Sequence, residues 1–125
     1  MLFGKQRADA SISSLEADAR LADQVAQQKE SGEQLYAAIQ RAAADNPNME
    51  GGSTLLVSKM EDNGGKFSVI VQLKDAYGTH TMAQFCVGRE KLHSLYGPHG
   101  PSEEFPLDEF ETMVDKASAR VRSIT

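Results

Sequence analysis

Leu21, Val25, Gln28, Gly32, Leu35, Ile39 and Ala42 follow one another at alternating steps of four and three residues. Steps of that size put side chains on one face of a helix. The surrounding stretch is rich in Ala, Gln, Glu, Arg and Leu, all good helix formers, and holds no proline before Pro47. The spacing predicts a long helix over 9–45, preceded by a flexible N-terminus at 1–8. Its stripe is a heptad seam interrupted at Gln28 and Gly32, where a stable coiled coil is apolar. Glycine inside a helix costs about 1 kcal/mol against alanine, so Gly32 marks a bend or a break between two helices. Ile12 and Leu15 fall off the seam, which puts a register break near Ala17 to Arg20. The reading is one long helix, bent at Gly32, with a weak N-terminal half.

Asn46-Pro47-Asn48 ends that helix, because proline disfavours helical geometry in the residue before it. The period then changes to two. In Lys66 to Lys74, Phe67, Val69, Val71 and Leu73 alternate with Ser68, Ile70, Gln72 and Lys74, the signature of a strand with one buried face. Thr54 to Met60 reads as the strand before it and Thr81 to Val87 as the strand after it. Asn63-Gly64-Gly65 and Asp75-Ala76-Tyr77-Gly78 supply the connecting turns. The prediction for 53–88 is a three-stranded antiparallel meander.

Arg89 to Tyr96 is expected to form a short helix, followed by an irregular loop through Gly97-Pro98-His99-Gly100-Pro101. Over 106–124, Leu107, Phe110, Val114, Ala117, Val121 and Ile124 are spaced three, four, three, four and three. Pro106 suits a first turn. Asp108, Glu109 and Glu111 crowd the start and Lys116, Arg120 and Arg122 the end, matching the helix dipole. This amphipathic helix is predicted to lie on the sheet, giving a single α+β domain over 9–125.

Composition sharpens the picture in two places. Of the 40% hydrophobic residues many are alanine, and between Ala8 and Gln34 the only larger apolar side chains are Ile12, Leu15, Leu21 and Val25. The core is therefore expected in the middle and C-terminal parts. The net charge is −5 over 125 residues, and no Lys/Arg cluster covers a face as phosphate neutralisation requires. Nucleic acid is an unfavoured partner on this basis. The alternative reading, a nucleic-acid-binding domain, would use Lys59, Lys66 and Lys74 on the open sheet face with Lys5 and Arg7. One cysteine, Cys86, cannot form an internal disulfide, and no apolar run is long enough to span a bilayer. The default placement is cytoplasmic.

Candidate chemistry is sparse. Cys86, His80, His93 and His99 fall in different elements without the short spacings of metal sites, so no metal or cofactor is expected. No serine sits in a nucleophile elbow. Gly51-Gly52-Ser53-Thr54 precedes a strand, whereas a phosphate loop opens a helix whose free amides face the anion. Glu103-Glu104 and Asp108-Glu109 lie where a helix start favours anions, so they need no catalytic explanation.

The order helix, three strands, helix resembles the double-stranded-RNA-binding domain in the rhythm of Phe67 to Lys74 and Thr81 to Val87. That resemblance implies a basic start to the last helix, but here it begins Pro106-Leu107-Asp108-Glu109. Size, acidity and Phe105-Pro106-Leu107-Asp108 opening an amphipathic helix are similar to the small acidic chaperones of type III secretion, which are dimers. Both likenesses stay at the level of fold analogy, and no family is assigned from them.

The functional expectation rests on the first helix. If the C-terminal helix covers a three-stranded sheet, Leu21, Val25, Leu35, Tyr36 and Ile39 are left seeking another surface. Tyr96 and His99, in a loop stiffened by proline, suit the same role. The expected activity is non-enzymatic protein binding, by a homodimeric adaptor, inhibitor or chaperone-like factor, with a protein partner or a second copy held by the N-terminal helix.

Overall fold

The computed structural model describes the backbone over 2–62, 65–97 and 100–125, and side chains within those ranges from residue 16 onward except Asp18. A single helix, α1, runs Leu2–Ala44 without a break. Five strands follow: β1 (Thr54–Glu61), β2 (Phe67–Asp75), β3 (Gly78–Val87), β4 (Lys91–Tyr96) and β5 (Ser102–Pro106). A 3-10 turn, Leu107–Glu109, leads into the last helix, α2 (Phe110–Arg122). The strands form one antiparallel sheet in the order of the chain, each paired with its sequence neighbours.

The α+β class and the antiparallel meander are as the sequence predicts, but the sheet has five strands, not three. The segment expected as a short helix, Arg89 to Tyr96, contains β4. Its alternation was obscured because one inward position is Ser94, fully buried opposite Phe85. β5 sends one apolar side chain, Phe105, into the core opposite Leu92, and it ends in Pro106, which an edge strand tolerates because its outer N–H has no ladder to serve.

The wider sheet changes what must cover it. Five strands at about 4.8 Å spacing span roughly 19 Å. One helix is only about 10 Å across. Two are needed, and both lie on the same face. Phe67, Val69 and Val71 of β2, Ala83, Phe85 and Val87 of β3, and Leu92 of β4 meet Leu35, Ile39 and Ala42 from α1 and Met113, Ala117 and Val121 from α2 in one core. Leu107, placed on the α2 stripe by its spacing, is instead in the 3-10 turn and exposed.

Gly32 has the opposite role to the one its helix propensity suggests. A Cβ built there would overlap Cγ of Phe67, so the absent side chain is what lets α1 settle onto the Phe67 ring. Gln28, the other interruption of the seam, is buried, and its Nε2 donates to the Val87 carbonyl at 2.7 Å. At the far end of the packed segment the Asn46 amide donates to the carbonyls of Val121 (2.8 Å) and Ile124 (2.9 Å), tying the end of α1 to the end of α2.

Candidate protein-binding surface

Along α1, Gln28, Gly32, Leu35, Ile39 and Ala42 are buried, at the four- and three-residue steps of one face. Toward the N-terminus the picture changes abruptly. From Glu16 to Gln27 every residue whose burial is described is exposed. At 1.5 Å per residue, the part of α1 before Gln28 is about 40 Å long. Leu21 and Val25 continue the sheet-facing stripe past the sheet, and stand 42% and 41% exposed.

Where α1 leaves the sheet, two hollows flank it. One, of about 210 Å³, is walled by Val25, Lys29, Phe67 and Arg89. The other, of about 260 Å³, lies on the opposite flank between Gln24, Val87, Leu92 and Phe110. Gln28 borders both, and its Oε1 is buried without a hydrogen-bond partner among the described residues. Sequence reasoning missed this junction because Gln28 and Phe67 are 39 positions apart and only the register of the helix on the sheet brings them together.

The seven residues expected to form one partner surface are divided. Leu21 and Val25 stay together and exposed. Leu35 and Ile39 are fully buried in the chain's own core, so they are corrected from partner contacts to packing residues. The cause is sheet width, since α2 alone leaves β1 to β3 uncovered. Tyr36 is half-buried, with its hydroxyl 3.5 Å from the Val57 carbonyl and the Lys59 ammonium 5.1 Å from the ring centroid. Tyr96 packs edge-to-face on Phe85, with centroids 5.8 Å apart, and the Arg120 guanidinium lies 5.0 Å from its ring. It pairs with Ala83, four residues along β3 from Val87 and thus roughly 13 Å from the junction, so it does not share a surface with Leu21 and Val25. His99 lies outside the described residues.

The cations grouped on the open sheet face are divided as well. Lys59 pairs in register with buried Val69 on the helix-covered face, and its ammonium bonds both carboxylate oxygens of Glu33 at 2.6 and 2.9 Å. That hydrogen bond holds the Lys59 pKa above the ordinary lysine value. Across the sheet, the Lys91 ammonium, 2.8 Å from Glu104, holds that carboxyl below its ordinary range.

Among the described residues no three His, Cys, Asp or Glu side chains converge as a metal site, and no helix is long and apolar enough to cross a membrane. Cys86 is buried on the sheet face opposite the helices, beside the Ser68 hydroxyl at 3.6 Å. No protein-family model matches this chain, and no curated protein or solved structure is significantly similar to it.

Proposed function

We propose that this chain is a non-enzymatic protein-binding module, gripped through the projecting half of α1 by a second copy of itself. The observation that carries this reading is the run of exposure from Glu16 to Gln27, with Leu21 and Val25 extending an otherwise buried stripe into solvent. A polar helix without tertiary contacts is marginal in water, and packing of an apolar face supplies most helix stability in proteins. A second copy that covers Leu21 and Val25 supplies that packing, and the two hollows beside Gln28 offer its side chains a place to lodge.

Sedimentation velocity over a hundredfold concentration range tests the reading. The expected result is a dimer that Leu21→Glu combined with Val25→Glu converts to monomer, with the melting temperature of the body unchanged. A wild-type chain that stays monomeric throughout, with the helix before Gln28 still formed by circular dichroism, removes the self-association.

A further inference from the structure

β1 forms one edge of the sheet, and its free side is placed for pairing. The Asp62 amide donates to the Lys66 carbonyl at 3.0 Å, so that pair is bonded across the β1–β2 hairpin. Bonded and non-bonded pairs alternate along an antiparallel ladder. With Glu61 opposite Phe67 and Val57 opposite Val71, the residues Leu55, Val57, Lys59 and Glu61 direct their amides and carbonyls away from β2. The Tyr36 hydroxyl near the Val57 carbonyl agrees with that direction.

The side chains of the same residues lie on the helix-covered face. Between them and α1 runs an open groove of about 430 Å³ whose apolar lining includes Ala43, Met49, Leu55 and Val57. A strand added to β1 sets the side chains opposite Leu55 and Val57 into this groove, where the alanine wall of α1 leaves room. Its intervening side chains meet Leu56 and Met60, which stand 40% and 56% exposed on the other face. Electrostatics selects the flanks. From Glu33 to Asp62 the chain carries five carboxylates and two cations, one of which, Lys59, is already paired with Glu33.

We propose that the β1 edge and its groove take an extended basic segment of a protein partner, with aliphatic side chains at alternating positions and Lys or Arg at its ends. This surface is separate from the projecting helix. Selecting random eight-residue peptides on the intact chain, and titrating the recovered consensus peptide by fluorescence anisotropy, provides the test. The expected consensus alternates Val, Ile or Leu with polar residues between basic ends. Its affinity should fall at least tenfold in Lys59→Pro, which deletes an outward amide that β2 does not use, and in Ala43→Lys, which fills the groove with like charge. It should also fall tenfold or more between 50 mM and 500 mM salt, and stay within twofold in Leu21→Glu. Circular dichroism identifies which variants remain folded, and if Lys59→Pro does not fold, Ala43→Lys decides. A consensus without alternation, binding indifferent to the folded variants, or a dimer of the chain itself that Lys59→Pro dissociates would overturn the proposal.

Discussion

The two halves of α1 share one spacing and have opposite environments. Leu21 and Val25 lie on the same stripe as Leu35 and Ile39, yet the first pair stands in solvent and the second pair is sealed against β2 and β3. Periodicity records which side chains share a face. What lies beneath that face is set by the rest of the chain, here by a sheet that reaches as far as Gln28 and no farther.

Substitutions can break this contrast, beginning with the sealed half. Ile39→Ala is expected to lower unfolding stability by about 3 kcal/mol in urea titration, through lost transfer energy and the cavity left behind. Ile39→Glu should leave no native state to titrate, because the carboxylate has no partner in the core. Asn46→Ala removes the bonds to the Val121 and Ile124 carbonyls and should cost about 2 kcal/mol by the same measurement.

Gly32→Ala sharpens the comparison by its sign. Helix propensity alone predicts a gain of about 1 kcal/mol, whereas a methyl against the Phe67 ring predicts a net loss of about 1 to 2 kcal/mol. A gain would mean that the helix does not sit so close to the sheet. In the exposed half, Leu21→Glu combined with Val25→Glu should change monomer stability by less than about 0.5 kcal/mol while abolishing the proposed self-association.

The smallest effect concerns pH. The folded-state pKa of Glu104 is depressed, so its contribution is present above the unfolded value and is lost as pH falls through the folded one. Lys91→Met should flatten that part of the acid limb in a pH-dependent melting series. The effect is slight, since both groups of the pair are exposed.

The fold was legible wherever apolar residues alternated without interruption. Phe67 to Leu73 identified β2, and the stripe ending at Val121 and Ile124 identified α2. β4 and β5 were hidden because Ser94 and Glu103 take inward positions, so the period of two carries no hydrophobic signal there. Without those two strands the sheet is narrow enough for one helix, which leaves Leu35 and Ile39 without a surface of their own. Of the candidate surface, Leu21 and Val25 were visible in the spacing. The role of Gln28 was not, because a polar residue in an apolar seam reads as a defect until the Val87 carbonyl is brought beneath it.

The clasp between the ends of the two helices also has a timing. Asn46 binds a carbonyl 75 positions later in the chain. At the usual ribosomal pace of about 5 to 20 residues per second, the donor waits roughly 4 to 15 s for its acceptor to be made. The strands, each joined to the next, can zip together as they emerge. Until β2 and β3 have been made and pair beneath them, earlier than the clasp can close, the nascent polypeptide exposes Leu35 and Ile39, a window in which chaperones, or a neighbouring nascent chain, compete for the face that the finished protein conceals.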